Sequence, residues 1–348
     1  MKIAFIVPSL ANKGPILVVK DLCEGLVDKG FECKVFYFDN ILDVNMPCAT
    51  QQISFKQTID FSQWDIVHSH MLRPDLWVSI RKPWFKTSST KFVTTIHQNI
   101  SQNLISDYGF VKGASTATLW KFALKRFDHI VVLTSEHTAT LNGLKDAKIS
   151  VIFNGRDIDF NLPADEADVE KITAFRSNFK TIIGTNSILT KRKGLEQIIN
   201  ALPELPDVGY VIVGDGIEAT ALKKLAKKRN VENQCLWLGE KPNGFRYTNL
   251  FDIYLILSRS EGFPLSLIEA AAWGKPTICS DIPIFKSIVN TDQVAFTPLD
   301  NPTTLAQTIR DVSTNSNGRE LAFNTFYHAA LTSETMCQNY INLYKSLC

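Results

Sequence analysis

Short apolar runs alternate along the whole chain with longer stretches whose apolar residues recur at helical spacing. In the first half, runs of strand length occupy residues 2–7, 33–38, 65–68, 92–96, 130–133 and 151–153. Residues 16–29 predict a helix, with Leu17, Leu22 and Leu26 on its apolar face and Gly30 after its end. Residues 10–15 predict a loop, and residues 40–61 have little periodicity. Strands that alternate with helices predict a parallel, doubly wound α/β sheet.

The second half repeats this alternation, although its sequence is not a repeat of the first. Strands are predicted at residues 181–184, 210–213, 235–238, 251–257, 277–279 and 294–296, and helices at 194–202 and 333–347. Between the halves, Asn154-Gly155 predicts a tight turn, and the acidic stretch 157–170 predicts a surface linker. We therefore expect one domain at 1–160, a second at 161–330, and a terminal helix within 331–348.

The composition is typical of a globular protein and bears on the compartment in which the protein works. The 348 residues suffice for two domains, 45% are hydrophobic, and a net charge of +2 gives no argument for nucleic acid. The seven cysteines include no C-x-x-C pair, which indicates reduced thiols in the cytoplasm rather than disulfides or a zinc site. The first apolar run is too short for a signal peptide, and no run approaches the ~20 residues of a membrane helix.

Residues 261–281, EGFPLSLIEAAAWGKPTICSD, join two predicted strands through a helix. Pro264 suits the first turn of this helix, and Gly274 suits the residue just after its end. The helix is apolar nearly all round, so it should be buried, and its single charge at Glu269 needs partners. A structural ion pair would provide them. The alternative is a nucleotide, whose diphosphate meets N–H groups at the helix start and whose ribose hydroxyls meet the acid.

A basic cluster, Lys191-Arg-Lys193, precedes Gly194 and a predicted helix. Cations at a helix N-terminus are unfavourable for the helix dipole unless an anion joins them. A solvated surface turn is the alternative, but the position at the carboxyl end of a strand favours an anion site. Gly214 and Gly216, in Val213-Gly-Asp-Gly216, predict either a tight turn or a glycine-rich ligand loop.

With Glu261 and Glu269 spaced as Glu-x7-Glu, the sequence GFPLSLIEAAAWGKPTICSD resembles the signature of retaining glycosyltransferase family 4. The resemblance implies the GT-B fold: two Rossmann-like, doubly wound domains that face each other across a cleft, with a terminal helix that crosses back to the first domain. It implies that Glu269 binds the donor ribose, that Glu261 lies near the donor sugar, and that loop N–H groups hold the diphosphate. The loop residues are Gly262, Phe263, Pro264, Leu265 and Ser266.

Other positions match the family in the same order along the chain. Lys193 matches a lysine that neutralises the donor diphosphate. Gly214 and Gly216 match a glycine-rich turn on the donor side, and Gly239 follows a strand that ends near the nucleotide base. Gly14, in the first loop, resembles a glycine that lets backbone approach the sugar phosphate. It is assigned to the acceptor side.

One departure from the family pattern concerns the diphosphate. The family usually has an arginine a few positions before the lysine, and the counted position here holds Ile188. Arg192 or Lys191 is expected to substitute for it, with Arg192 as the donor-binding candidate.

Histidines stand at the ends of predicted strands in the first half. His97 resembles a family histidine that contacts the donor sugar, and at its usual pKa it would change charge near neutral pH. A capping or core histidine is the alternative. His68 and His70 share one strand face like a metal pair, but the sequence offers no third ligand or acid cluster nearby, so we expect no metal there.

Residues 66–135 hold nine Lys or Arg against three Asp or Glu, with aromatic residues interleaved. The aromatic residues considered are Trp77, Trp84, Phe85, Trp120, Phe122 and Phe127. Such a stretch suits an anionic membrane surface or an anionic acceptor. An ordinary amphipathic helix with solvated cations is an equal alternative. Nucleic acid is not expected, because no recognised binding motif is present.

Together the resemblance implies a retaining glycosyltransferase of the hexosyltransferase type. It would move a sugar from a nucleotide diphosphate sugar, with UDP or GDP as the favoured nucleotide, to a hydroxyl of a glycan or lipid-linked acceptor. Lys193, Glu261 and His97 are expected to be catalytic, with no cofactor and no metal. Synthesis of a surface polysaccharide or lipid-linked glycan is implied, in the cytoplasm or at the inner face of the plasma membrane.

Two other functions remain open from the sequence. A sugar-nucleotide epimerase or hydrolase of the same fold would use the same donor pocket without an acceptor. A non-catalytic nucleotide-binding subunit is suggested by the missing arginine at Ile188.

Overall fold

The computed structural model describes residues 1–83, 89–141, 144, 148–315 and 318–348. Contacts between residues divide the chain into two compact units. Unit 1 comprises Met1–Arg156 and Ala330–Cys348, and unit 2 comprises Asp157–Ala329. The last segment of the chain therefore packs with the first part of the sequence.

Unit 1 is a doubly wound α/β unit with seven parallel strands in its described residues. The strands are β1 (Lys2–Leu10), β2 (Glu32–Leu42), β3 (Ala49–Gln52), β4 (Ile66–His70), β5 (Lys91–Ile96), β6 (His129–Val132) and β7 (Ile149–Val151). They lie in the order β3-β2-β1-β4-β5-β6-β7. The helices are α1 (Gly14–Asp28), α2 (Leu72–Arg81), α3 (Ile100–Tyr108), α4 (Phe110–Leu124), α5 (Ser135–Ala139) and, from the end of the chain, α13 (Ser333–Leu347).

The sheet of unit 1 buries side chains on both faces, because successive strand residues point to opposite sides. Val67 of β4 belongs to a core that contains Trp77 of α2 and Trp120 of α4. His68, the next residue, reaches the other face, where Nδ1 lies 2.7 Å from the hydroxyl of Tyr344 in α13. The terminal helix thus completes the second face of this sheet, and its observed bounds are those that the sequence predicts.

Unit 2 has the same architecture, with six parallel strands in its described residues. The strands are β8 (Thr181–Asn186), β9 (Val208–Val213), β10 (Cys235–Gly239), β11 (Ile253–Ile256), β12 (Thr277–Ser280) and β13 (Ala295–Thr297), in the order β10-β9-β8-β11-β12-β13. The helices are α6 (Glu166–Arg176), α7 (Leu195–Ala201), α8 (Ala219–Lys228), α9 (Leu265–Ala272), α10 (Pro283–Lys286), α11 (Pro302–Thr314) and α12 (Arg319–Phe326). The order reverses between β8 and β11, and ligands of doubly wound sheets bind at such a switch point.

The junction between the two halves differs from its prediction. Asn154-Gly155 does not form a turn. A Cβ on Gly155 would lie 2.0 Å from the carbonyl oxygen of Thr332, so this glycine instead permits close contact with the segment before α13. The predicted linker at 157–170 ends early, because α6 begins at Glu166 and buries Asp168, which Lys241 and Tyr247 bind.

Two other stretches of unit 1 differ in part from their predictions. The stretch 40–61, expected to carry short irregular elements, contains the last residues of β2, up to Leu42, and all of β3. The loop expected at 10–15 is shorter, because β1 runs to Leu10 and α1 begins at Gly14. Pro15 explains the early helix start, since its fixed φ suits the first turn and it has no N–H to satisfy there.

Candidate functional site

A small pocket lies at the carboxyl ends of β8 and β11 in unit 2. Its polar lining includes Thr185, Asn186, Lys193, Tyr254, Ser258 and Ser266. These residues come from the two strands at the switch point, from the basic turn before α7, and from the first turn of α9. The pocket therefore joins the two sequence motifs that predict an anion site.

Glu261 lies at the centre of the charged part of this site. Its carboxylate accepts hydrogen bonds from Lys193 Nζ at 2.6 Å, from Arg192 Nη1 at 2.8 Å and from Ser258 Oγ at 2.6 Å. Burial alone would raise the pKa of Glu261, but the two cations outweigh it and lower the pKa to about 2. The acid is therefore ionised at neutral pH, and the two cations are held beside it.

Backbone contacts join the basic turn to the loop after β11. Residues Lys191–Lys193 form one 3₁₀ turn, and Gly194 follows it with a left-handed φ of 67°. A Cβ at this position would lie 2.3 Å from the carbonyl oxygen of Leu257, so only glycine fits. The Arg259 N–H also donates to the carbonyl of Arg192 at 2.8 Å. These contacts fix the backbone position from which the Lys193 side chain extends.

Of the two candidates to substitute for the missing arginine, Arg192 lies in this network and Lys191 does not. Arg192 binds both Glu261 and the carbonyl oxygen of Ser260, the latter at 2.7 Å. Lys191 is exposed, and within the described part of the chain it forms no ion pair. Ile188 is 69% exposed and lies outside this network.

Glu269 is buried on α9, as the apolar composition of this helix predicts. Asn186 Nδ2 lies 3.4 Å from its carboxylate. The hydroxyl of Tyr254 in turn accepts from the Asn186 N–H at 3.1 Å. Burial, followed by the charge of Glu269, raises the pKa of Tyr254 well above its usual value, so the phenol stays protonated.

The sequence analysis missed Asn186, Tyr254 and Ser258. Tyr254 lies within a predicted strand, and Asn186 and Ser258 follow predicted strands, but no spacing in the sequence distinguishes them from ordinary strand residues. In the structure β8 runs two residues beyond its predicted end, which brings the polar residues Thr185 and Asn186 to the carboxyl edge of the sheet.

The loop residues from Gly262 to Ser266 lead into the first turn of α9. Pro264 is the residue before the helix and has no N–H to offer a ligand. The N–H groups of Leu265 and Ser266 open the helix, where N–H groups have no intrahelical acceptor. Phe263 is buried and anchors the loop. The loop can therefore present backbone N–H groups to an anion. Pro264 has no N–H and can contribute only to the shape of the loop.

Gly214 and Gly216 make close contacts with protein atoms. Gly214 has φ 129°, and a Cβ there would lie 1.9 Å from the carbonyl oxygen of Ser187. A Cβ on Gly216 would lie 2.5 Å from the carbonyl oxygen of Leu189. Both glycines thus let their loop pack against residues 187–189, which follow β8. Of the residues that they contact, Ser187 lines the pocket.

The unit 1 candidates behave differently from their sequence expectations. His97 follows β5 and is half-buried, and burial, with a further contribution from His137, lowers its pKa to about 3. It stays neutral near pH 7, so the expected change of charge is wrong. Gly14 lies in the first turn of α1, where it precedes Pro15, rather than in a loop.

The aromatic residues of the basic stretch are mostly core residues. Trp77, Trp120 and Phe127 are buried, and Trp120 Nε1 donates to Asp75 at 2.7 Å. Only Phe122 among the described members is exposed, at 66%. Trp84 and Phe85, with Lys86, lie outside the described residues. The stretch as predicted does not form one surface.

Several further features bear on ligands and environment. In the described residues no group of three or more His, Cys, Asp or Glu side chains is arranged to hold a metal ion. None of the described helices is long and apolar enough to cross a bilayer. All seven cysteines fall within the described residues and are free thiols.

Comparisons with known proteins agree on one family. Residues 168–324 match the family model described as Glycosyl transferases group 1, and residues 48–160 match that described as Glycosyltransferase Family 4. The O-antigen biosynthesis glycosyltransferase WclY of Escherichia coli is 30% identical over 358 residues, which cover 100% of this chain and 99% of WclY.

Among solved structures, Anabaena Alr3699/HepE in complex with UDP has a TM-score of 0.82 at 17% identity, over 99% of this chain and 100% of that one. Sucrose-phosphate synthase from Thermosynechococcus elongatus has a TM-score of 0.80 at 17% identity, over 99% of this chain and 98% of that one. At these identities the likeness establishes the fold.

Proposed function

The chain belongs to the family 4-like superfamily of glycosyltransferases and has the GT-B fold, and from this premise we propose that it transfers a sugar from a nucleoside diphosphate sugar to a hydroxyl acceptor with retention at the anomeric carbon. The observation that carries the proposal is the pair of cations, Lys193 and Arg192, fixed on a buried acid at the mouth of the unit 2 pocket. Two fixed cations at the carboxyl edge of a parallel sheet are suited to binding the two phosphates of a nucleoside diphosphate.

Departure of the diphosphate is the step that these residues would assist. Negative charge grows on the leaving phosphate in the transition state, and fixed cations and N–H dipoles stabilise that charge without reorganising. Lys193 Nζ and the Arg192 guanidinium supply the cations. The N–H groups at the start of α9 supply the dipoles, next to Gly262 in the same loop.

The nucleoside is assigned to the side of the pocket where Asn186 lies, next to Glu269. Glu269 is assigned to the ribose hydroxyls, because its carboxyl oxygens can accept hydrogen bonds and Asn186 lies beside it as a further polar partner. UDP is the first nucleotide to test, since the similarly folded Alr3699/HepE was solved with UDP and with UDP-glucose. Gly214 and Gly216 are assigned to this site because their loop packs against residues 187–189, which follow β8.

Glu261 has a structural role that supports its proposed catalytic one. It orients both cations, and a phosphate that arrives would share them with this carboxylate. The family role near the donor sugar is assigned to the same residue. In unit 1, His97 is assigned to a sugar hydroxyl and Gly14 to the acceptor side.

The acceptor is proposed from the relative. WclY is named for O-antigen biosynthesis, so we assign this chain to the assembly of a surface polysaccharide on a lipid-linked saccharide. Among the functions considered, membership of the family favours the transferase over an epimerase, a hydrolase or a non-catalytic subunit.

A lipid-linked acceptor places the enzyme at a membrane surface, and α4 offers a suitable face. Val111 and Phe122 are 81% and 66% exposed, and Leu119 lies between them on the same side of the helix. Lys112 and Lys125 are also exposed. No Asp or Glu occurs from residue 108 to residue 127. An apolar strip with basic edges suits an anionic bilayer.

Transfer is tested by product analysis with UDP-sugars and a lipid-linked saccharide acceptor. The expected result is a new glycosidic bond whose anomeric configuration, determined by NMR, equals that of the donor. Free sugar with the acceptor unchanged would identify a hydrolase and refute the proposal. An inverted product would refute the retaining mechanism.

A further inference from the structure

Five buried or half-buried histidines lie in the described residues of unit 1: His68, His70, His97, His129 and His137. His68, His70 and His97 form a row. The ring centroids of His68 and His70 are 4.2 Å apart, and those of His70 and His97 are 5.2 Å apart. His68 and His70 share a face of β4, and His97 follows the neighbouring strand β5, so the sheet itself builds this row.

Both ring nitrogens of His68 have hydrogen-bond partners. Its Nδ1 lies 2.7 Å from the hydroxyl of Tyr344, and its Nε2 lies 2.9 Å from the hydroxyl of Thr95. The Thr95 hydroxyl lies 2.8 Å from that of Tyr340. Hydroxyl groups both donate and accept, so this end of the row accommodates either tautomer of His68.

His70 is bound quite differently. Its Nδ1 lies 2.8 Å from Nε2 of His97, and in the described part of the chain its own Nε2 is buried without a hydrogen-bond partner. Burial lowers the pKa of His70 well below its usual value and that of His97 to about 3. Both rings are neutral at pH 7, so one proton lies between the two facing nitrogens.

Two proton arrangements satisfy this contact. In the first, His70 donates through Nδ1–H, its buried Nε2 is a bare lone pair, and the proton of His97 is on Nδ1. In the second, His97 donates through Nε2–H, and the proton of His70 is on the buried Nε2, where it has no acceptor. In proteins, a buried N–H without an acceptor is rarer than a buried acceptor without a donor. This difference favours the first arrangement.

We propose that His70 is a positioning residue that holds His97 as its Nδ1–H tautomer. His97 then presents an N–H donor from the half-buried edge of its ring, where Nδ1 makes no hydrogen bond within the described residues. Such a donor recognises an oxygen lone pair of a sugar. The identity of that sugar oxygen rests on the proposed function, whereas the tautomer does not.

The direct test is long-range ¹H–¹⁵N NMR on full-length protein with ¹⁵N-labelled histidine, which distinguishes protonated from bare ring nitrogens. The chain has six histidines, so single substitutions assign the signals. The expected spectrum at pH 7 shows His97 with its proton on Nδ1 and His70 with a bare Nε2. A proton on Nε2 of His97 would overturn the proposal, whatever the enzyme does.

Two variants of His70 separate the hydrogen bond from the bulk of the ring. His70→Asn keeps an N–H donor near the position of Nδ1, and His70→Phe keeps ring volume without a donor. We expect the His97 tautomer to be retained in His70→Asn and lost in His70→Phe. His129→Phe is the matched control, because His129 bonds Ser150 instead, at 2.8 Å. An unchanged His97 spectrum in a folded His70→Phe protein would contradict the proposal.

Activity then distinguishes this inference from the function itself. If His97 contacts the donor sugar, His70→Phe lowers kcat/KM about tenfold, the effect of one ordinary hydrogen bond, and His70→Asn restores most of it. If the tautomer is as proposed but His97→Phe leaves transfer unchanged, the tautomer assignment stands and the catalytic role assigned to His97 fails.

Discussion

At the scale of single residues, Glu261 shows why a motif and its geometry carry different information. The sequence places Glu261 and Glu269 eight positions apart, and helix periodicity predicts that Glu269 is buried. It does not predict that Glu261 binds Lys193, because the two are 68 positions apart and only the packing of β8 beside β11 brings them together. The same packing selects Arg192 over Lys191 as the second cation.

The two neighbouring lysines provide a matched prediction. Lys193→Ala removes a cation from the proposed diphosphate site, and we expect kcat/KM for sugar transfer to fall about a hundredfold or more. Lys191→Ala removes the same charge from an exposed position and should change kcat/KM by less than about twofold. Steady-state kinetics on both variants, with melting temperatures to confirm folding, make the comparison. Equal losses would indicate a general effect of charge rather than a specific site.

At the scale of secondary structure elements, α9 and α13 were predictable and the ends of strands were not. The helix α9 has no polar face, and Gly274 ends it with a left-handed φ of 56°, so composition and one glycine suffice. The strand β8 extends to Asn186 because its polar end residues are held, Thr185 by Tyr210 and Asn186 by Tyr254. Polar residues at a strand end look like a loop in sequence, and such conflicts between local pattern and structure concentrate at functional sites.

The membrane-binding face proposed on α4 is smaller than the basic, aromatic stretch of the sequence analysis, and it can be tested by substitution. Replacing Val111 and Phe122 together by Ser should weaken binding to phosphatidylglycerol–phosphatidylethanolamine vesicles at least tenfold, as measured by cosedimentation, because it removes the two most exposed of the three apolar side chains in the strip. Vesicles of phosphatidylcholine alone should bind the wild type weakly, since they lack anionic charge.

The control for this experiment lies in unit 2. Leu321 of α12 is 71% exposed, so Leu321→Ser removes an exposed apolar side chain away from α4. It should leave vesicle binding unchanged. Comparable losses in both variants, or no binding by the wild type, would argue against α4 as a membrane-binding face.

At the scale of the whole molecule, the alternation of strands and helices was sufficient to predict two doubly wound units. The detailed division was not, since Gly155 packs against the segment before α13 rather than forming a turn, and the predicted linker contains the start of α6. Tertiary contacts between residues far apart in sequence decide such junctions, and neither composition nor periodicity records them.

The two units should differ in their resistance to acid. In unit 1, burial lowers the pKa of His68 and His97 to about 3 and that of His137 to about 4, so the unfolded chain binds more protons below about pH 6.5. Stability is then lost as pH falls from about 6.5 towards 4. Burial also lowers the pKa of His70 and His129. Burial raises the pKa of Asp75 to about 7, which acts in the opposite direction, but it is one group against these five histidines.

Unit 2 has a later acid transition. Glu261, with a pKa of about 2, contributes stability above its unfolded value of 4.5 and loses it only below that pH. Hydrogen exchange followed by mass spectrometry, corrected for intrinsic rates, should therefore show peptides of β4 and β5 losing protection between pH 6.5 and 4.5. Peptides of β11 and α9 should keep it. Simultaneous loss in all four would contradict this difference between the units.

The central claim is that the unit 2 pocket binds a nucleoside diphosphate through Glu269 and the cation pair. Isothermal titration calorimetry with UDP, GDP, ADP and CMP tests it on the wild type, on Glu269→Gln, and on Glu170→Gln as an exposed acid of the same unit. We predict that UDP binds the wild type and Glu170→Gln alike and binds Glu269→Gln about ten- to a hundredfold more weakly, the effect of lost hydrogen bonds to a charged group. Failure of every nucleotide to bind the wild type at millimolar concentration, or equal affinity in Glu269→Gln, would contradict the account.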